Sequence, residues 1–152
     1  MNLKLESAKF GVVTAKFNAE VTDKLQAGAL ATLKEAGCKD ANIVSVRVPG
    51  AFEIPLAAQA LLANGCDAVI ALGAVIRGET SHYDFVCNAV ERGCTELQLK
   101  FSKPVAFGVL TTDTDEQAMD RAGGKHGNKG SEAAQVAIEM LGLLRQIASN
   151  RN

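Results

Sequence analysis

The stretch Ala68-Val69-Ile70-Ala71-Leu72 is an uninterrupted apolar run, and a glycine follows it directly. A run of this length and composition is typical of a β-strand that is covered on both faces, as the strands of parallel sheets are. The run therefore predicts a sheet that lies between two layers of helices.

Segments on either side of this run alternate between strand and helix patterns. The strand patterns cover residues 9–15, 43–48, 68–72 and 104–110. The helix patterns cover residues 19–36, 55–63, a part of 81–100, about 112–122 and 131–148. This order predicts a three-layer α/β/α sandwich with a four-stranded parallel sheet, flavodoxin-like and joined by right-handed crossovers. Ligands of such folds bind at the carboxyl ends of the strands.

The composition excludes several classes of protein. The chain has 152 residues, which predicts one domain over residues 1–152, and 47% of them are hydrophobic, which excludes a disordered protein. A net charge of −1 argues against nucleic-acid binding through a basic surface. No apolar run has the length of a membrane-spanning helix. We expect neither a nucleic acid nor a membrane as a partner.

The cysteines give no sign of metal binding or of disulfides. Cys38, Cys66, Cys87 and Cys94 form no C-x-x-C pair, and no histidine stands at metal-ligand spacing. The first six residues also lack the apolar run of a signal peptide. We therefore expect reduced thiols, no metal site and a cytoplasmic location.

The first predicted strand ends at Lys16-Phe17-Asn18, where a dinucleotide-binding fold would carry a glycine-rich turn. Asn18 is expected to cap the following helix. Phe17 has two interpretations. Its ring stacks on a flat heterocycle, or it covers the helix end as one half of a hydrophobic staple.

The second strand leads into Val48-Pro49-Gly50-Ala51-Phe52-Glu53-Ile54-Pro55, which two prolines stiffen. Glu53 lies near a helix start, where the helix dipole favours a carboxylate. It is therefore either a capping carboxylate or a site residue that accepts hydrogen bonds from substrate hydroxyl groups.

The third strand leads into the segment from Gly73 to Phe85. Within it, Gly78-Glu79-Thr80 precedes a helix N-terminus, whose free N–H groups can bind an anion. His82 follows in the first turn, and histidine is the residue type suited to proton transfer at neutral pH. The alternative for His82 is a surface histidine without a role.

Three further residues follow in the second half of the chain. Phe107, in the fourth strand, packs in the core or faces a site. Arg121 and Lys129 flank a loop rich in glycine that is not a P-loop, because Met119 stands where the first glycine is required. Both are cations that hold a phosphate or a carbonyl oxygen, or else they are solvated charges.

These segments together resemble the 6,7-dimethyl-8-ribityllumazine synthase family over residues 10–147. The motifs are Phe17-Asn18, Pro49-Gly50-Ala51-Phe52-Glu53-Ile54-Pro55, Val75-Ile76-Arg77-Gly78, His82-Tyr83-Asp84, and Arg121-Ala122-Gly123 through Gly127-Asn128-Lys129-Gly130. The resemblance implies a transferase of riboflavin biosynthesis that needs no cofactor. Its small-molecule substrates would be 5-amino-6-(D-ribitylamino)uracil and 3,4-dihydroxy-2-butanone 4-phosphate.

The resemblance also implies a role for each candidate residue. His82 would be the catalytic acid–base. The ribitylaminouracil site would consist of Phe17, Ala51, Phe52, Glu53, Ala74, Val75, Ile76, Phe107 and Lys129. Glu79, Thr80 and Arg121 would bind the phosphate group, and Lys129 would lie close to the phosphate end.

The family further implies a homo-oligomer with active sites at subunit interfaces, Phe107 coming from the adjacent subunit. Members form pentamers, and many assemble a shell of 60 subunits, which the compact loop from Gly123 to Gly130 favours here. Riboflavin synthase is a candidate partner.

Three alternatives compete with this interpretation. A flavin-binding storage shell of the same fold would need neither His82 nor Arg121. A riboflavin synthase of the archaeal kind would not need the complete segment Gly78-Glu79-Thr80-Ser81-His82. A flavodoxin-like electron carrier would have a phosphate loop rich in serine and threonine after the first strand.

Overall fold

The structure, a computed structural model, describes Leu5 and residues 7–150. The extreme ends of the predicted domain, residues 1–4, 6 and 151–152, lie outside the described residues. The strands are β1 (Phe10–Ala15), β2 (Ile43–Val48), β3 (Ala68–Ile76), β4 (Val105–Thr112), β5 (Ala122–Gly124) and β6 (Gly127–Asn128). The α-helices are α1 (Ala19–Glu35), α2 (Ile54–Ala63), α3 (His82–Phe101), α4 (Asp115–Asp120) and α5 (Lys129–Ser149). Two short 3-10 helices cover Asp40–Asn42 and Ala51–Glu53.

Four of the strands form the predicted sheet. Their order is β2-β1-β3-β4, and every neighbouring pair is parallel. The fold is therefore the predicted α/β/α sandwich. Every residue of the run at 68–72 is fully buried, as a strand covered on both faces requires.

Two hydrophobic cores lie on opposite faces of the sheet. One contains Leu25 and Leu33 of α1 and Leu141 of α5. The other contains Ile54 of α2 and Val90 of α3. Burial of these apolar faces provides the main driving force for folding. No helix among the described residues has both the length and the apolar character needed to cross a bilayer.

The structure differs from the sequence predictions at several strand and helix ends. β3 continues to Ile76 because residues 73–76 pair with β4, which itself continues to Thr112. A two-stranded hairpin, β5–β6, lies where only a loop was predicted. Asn18 occupies the N-cap position of α1, but its side chain makes no capping bond because it bonds elsewhere.

Candidate active site

A cleft of about 720 Å³ lies at the carboxyl ends of β1, β2 and β3, where ligands of this type of fold bind. Nine residues predicted for the site line it: Phe17, Ala51, Phe52, Glu53, Ala74, Val75, Ile76, Thr80 and His82. The lining also includes Asn18, Pro49, Gly50, Gly78, Tyr83, Phe85 and Val86. Residues that are far apart in the sequence thus meet at one edge of the sheet.

Hydrogen bonds hold the turns after β1 and β2 and the end of β3 together. The Phe17 N–H donates to the Pro49 carbonyl oxygen at 3.1 Å. The Asn18 side-chain amide donates to the Ala74 carbonyl oxygen at 2.8 Å, while its own backbone is left-handed, with φ 63°. Asparagine adopts this conformation more readily than most residues. The position of Phe17 is therefore fixed from both sides.

Three aromatic rings around the cleft remain exposed to solvent. Phe17 is 69% exposed, Phe52 61% and Phe85 70%. A ring that covered the end of α1 would be largely buried, so the staple interpretation of Phe17 is wrong. Exposed apolar rings that share one cleft are typical of a surface that binds a ligand or another subunit.

Glu53 acts as a capping carboxylate. Its Oε1 accepts a hydrogen bond from the Gly50 N–H at 2.9 Å, which closes the turn before α2. This bond does not exclude a role in binding, since a carboxylate offers about four acceptor positions on two oxygens.

The end of β3 presents to the cleft backbone groups that β1 does not pair. The N–H groups of Val69 and Arg77 donate to carbonyl oxygens next to β4, so the odd-numbered residues of β3 direct their backbone groups toward β4. Because direction alternates along a strand, Ala74 and Ile76 direct theirs toward β1. The pairing of β1 with β3 ends at Leu72. Beyond it, these groups face the cleft.

His82 is the first residue of α3 and is exposed. Its N–H lies 3.3 Å from the Thr80 hydroxyl oxygen, which orders the turn before the helix. The Ser81 side chain makes no capping bond to this helix. The Asp84 and Phe85 N–H groups donate to the Ser81 carbonyl oxygen at 3.0 and 3.4 Å, so only part of this helix N-terminus is free to face an anion.

Four predicted site residues do not line this cleft: Glu79, Phe107, Arg121 and Lys129. Arg121 follows α4 and Lys129 begins α5, and these helices pack on the face of the sheet opposite to α2 and α3. Phe107 lies on the edge strand β4 and is 36% exposed, so its assignment to the core is wrong.

Comparison with known proteins agrees with this geometry. The family described as 6,7-dimethyl-8-ribityllumazine synthase matches residues 7–145. A 6,7-dimethyl-8-ribityllumazine synthase of Bdellovibrio bacteriovorus is 60% identical over 139 residues, which cover 91% of this chain and 76% of the relative. One of Cytophaga hutchinsonii is 59% identical over 138 residues, which cover 90% of this chain and 87% of the relative. The chain belongs to the 6,7-dimethyl-8-ribityllumazine synthase family.

Membership of the lumazine synthase family confirms the resemblance that the motifs indicated. It also confirms that the chain is an enzyme, a transferase of riboflavin biosynthesis. The cleft also includes Asn18, which was expected only to cap α1, and Tyr83, for which no role was predicted. The Asn18 amide bonds the Ala74 carbonyl oxygen, 56 positions away, and the Tyr83 ring lies under the Arg77 guanidinium. No local pattern indicates either contact.

Proposed function

We propose that the cleft at the carboxyl end of the sheet binds both substrates of lumazine synthase and holds them for condensation. The chain joins 5-amino-6-(D-ribitylamino)uracil to 3,4-dihydroxy-2-butanone 4-phosphate and releases 6,7-dimethyl-8-ribityllumazine, phosphate and water. One observation carries the proposal: exposed rings, open backbone groups and His82 share a single cleft.

The pyrimidine is proposed to stack on Phe17, whose exposed ring has no other function in the fold. The Ala74 N–H and the N–H and C=O groups of Ile76 offer donors and an acceptor to a uracil edge, while the Ala74 carbonyl oxygen already accepts from Asn18. The Val75 side chain contributes to the lining. Ala51, Phe52 and Glu53 border the ribityl chain. The Glu53 carboxylate accepts hydrogen bonds from the hydroxyl groups of that chain.

The phosphate is proposed to bind at the turn before α3. In this proposal the backbone N–H groups of Glu79 and Thr80 and the Thr80 hydroxyl bind the anion next to His82, whose own N–H donates to that hydroxyl oxygen. His82 then transfers protons during imine formation and phosphate elimination. Since the substrate amine forms the imine itself, the enzyme needs no nucleophile of its own, and holding the reactants together supplies much of the rate.

A neighbouring subunit is proposed to complete the cleft with Phe107, Arg121 and Lys129, none of which lines the cleft of its own chain. Arg121 would then provide the cation for the phosphate. Large apolar side chains remain exposed on three helices: Leu56 of α2, Leu99 of α3, and Val136 and Ile147 of α5. Such surfaces are typical of subunit contacts.

A homopentamer, assembled further into a shell of 60 subunits, is the proposed form of the protein. A cytoplasmic location and riboflavin synthase as a partner belong to the same proposal. Light scattering and negative-stain images test the assembly. A monodisperse monomer at assay concentration would contradict the shared site.

Incubation of the purified protein with both substrates tests the function. We expect lumazine fluorescence and free phosphate to rise together in equal amounts. Each substrate alone serves as the control and yields no lumazine. If neither product forms while a flavin still binds, the protein is instead the storage shell of the same fold.

A further inference from the structure

Arg77 lies directly after β3 and contacts two different elements of the fold. Its Nε donates a hydrogen bond of 2.8 Å to Oδ1 of Asp113, the residue that follows β4. Its Cζ lies 4.3 Å from the ring centroid of Tyr83, and its Nη1 lies 3.8 Å from the carboxylate of Asp84. Tyr83 and Asp84 belong to the first turn of α3, next to His82.

On the other side, Asp113 is held by helix α4. Its N–H donates to Oε1 of Gln117 at 2.8 Å, and the same oxygen accepts from the Thr114 N–H at 3.3 Å. The side chain of Arg121 donates in turn to the Gln117 carbonyl oxygen at 3.0 Å. Arg77 therefore connects α3 on one face of the sheet with α4 on the other.

The charges in this group favour the arrangement. The hydrogen bond that Arg77 donates to Asp113 raises the pKa of Arg77, which thus stays a cation at every pH of interest. Burial raises the pKa of the Tyr83 phenol, so the ring under the guanidinium is neutral. A planar guanidinium can bond a carboxylate and stack on an aromatic ring at the same time, which the ammonium of lysine cannot do.

The turn from Gly78 to Ser81 has few other attachments. In the part of the chain that the structure describes, its hydrogen bonds run within the turn or to the first residues of α3. All four of its residues are exposed. Three contacts attach this region to the end of β4: the Arg77 side chain at Asp113, the Arg77 N–H at the Thr112 carbonyl oxygen, and a side-chain hydrogen bond between Tyr83 and Thr111. Of these, the Arg77 side chain alone contacts both Asp113 and the first turn of α3.

We propose that Arg77, paired with Asp113, is a positioning residue that holds the phosphate-binding turn and His82 in place for the reaction. The inference rests on the proposed function, because it concerns the turn at which the butanone phosphate is proposed to bind. It assigns Arg77 no contact with either substrate. The pyrimidine side of the cleft, at Phe17 and residues 51–53, is held by other hydrogen bonds.

The test compares steady-state kinetics of Arg77→Gln, Arg77→Lys and Asp113→Asn with the unchanged protein. A matched control is Arg145→Gln, since Arg145 pairs with Asp67 at 3.9 Å beyond the opposite, amino-terminal edge of the sheet, with similar exposure. For Arg77→Gln we expect kcat to fall about tenfold and KM for the butanone phosphate to rise by a similar factor. KM for ribitylaminouracil should stay within about twofold, and Arg145→Gln should leave all three unchanged.

Three further comparisons separate positioning from general stability. Arg77→Lys should recover only a small part of the loss, because it restores the charge without the geometry. The double variant of Arg77→Gln with Asp113→Asn should be no worse than Arg77→Gln alone, as expected for two partners of one contact. Thermal unfolding should show the same folded fraction for all variants, since exposed pairs contribute little to stability.

Several results would overturn the inference. One is a loss of kcat in proportion to the folded fraction, with both KM values unchanged, which would indicate a purely structural role. Another is additive effects in the double variant. If the unchanged protein is active and Arg77→Gln has the same kcat and KM values as Arg145→Gln, this inference alone is overturned. If the unchanged protein has no activity, the proposed function is overturned and the inference with it.

Discussion

The side-chain amide of Asn18 donates a 2.8 Å hydrogen bond to the carbonyl oxygen of Ala74, and this contact joins the turn after β1 to the end of β3. The two residues are 56 positions apart in the chain. The contact places Phe17 between two fixed points, because the Phe17 N–H is itself bound by Pro49. A ring that is 69% exposed is thus held in position by its backbone.

Phe17→Ala should weaken binding of ribitylaminouracil without weakening the fold. Loss of one stacking contact corresponds to about 0.5–1.5 kcal/mol, or a rise in KM of about three- to tenfold. KM for the butanone phosphate should not change. Steady-state kinetics with each substrate varied in turn measures both values. Phe17→Tyr is the control and should keep most of the affinity. An equal rise in both KM values would contradict the stacking role.

His82→Ala should slow turnover yet leave measurable activity. A single acid–base group typically contributes about 10²–10⁴-fold, and positioning of the two substrates remains intact in the variant. The rate of lumazine formation, followed by its absorbance, provides the measurement. Complete loss of activity in a folded, assembled variant would show that His82 does more than transfer protons.

Gly130→Ala should destabilise the protein strongly. A Cβ atom at this position would lie 2.0 Å from the Leu25 carbonyl oxygen, which is backbone of α1 and cannot move aside. Overpacking of this kind costs about 1–3 kcal/mol or more in the free energy of unfolding. Urea unfolding measures the loss. Gly78→Ala is the control for stability, because its Cβ would meet nothing within 4 Å. Equal midpoints for the two variants would contradict the packing of α5 on α1.

Stability should fall at alkaline pH in part because of Cys94. Burial raises the pKa of this thiol from 9.0 to about 11. The folded state then holds the proton more tightly than the unfolded chain. The contribution of the Cys94 thiol to the free energy of unfolding is therefore complete below pH 9 and is lost as the pH rises through 11. Urea midpoints between pH 8 and pH 11 should therefore fall more for the unchanged protein than for Cys94→Ala. Parallel declines would show that Cys94 does not titrate in this range.

Much of the fold could be predicted because it depends on local patterns. The apolar run at 68–72 predicted the buried strand, and the spacing of apolar residues predicted α1 and α5. Proline, glycine and capping residues helped to place helices between them. The ends of β3 and β4 were placed too early, since they depend on pairing between two strands that each lack a local stop signal. The β5–β6 hairpin was missed because strands of three and two residues are too short for a periodic pattern.

The site could be predicted only as a set of segments. The motifs and the resemblance together predicted nine of the residues that line the cleft, since loops at one end of a parallel sheet must meet. They did not indicate which residues the cleft excludes. Arg121 and Lys129 lie on the other face because of where α4 and α5 pack, which is a property of the tertiary structure.

β3 continues past its last pairing with β1, at Leu72, to Ile76. If the pyrimidine binds as proposed, its cyclic amide takes the place that a longer β1 would occupy, and the substrate becomes a piece of the sheet. The edge of β3 that the shorter β1 leaves uncovered would then select a planar molecule about as wide as a peptide group. Extending β1 by two residues would fill that gap from within the chain and exclude the substrate, with every catalytic side chain left unchanged.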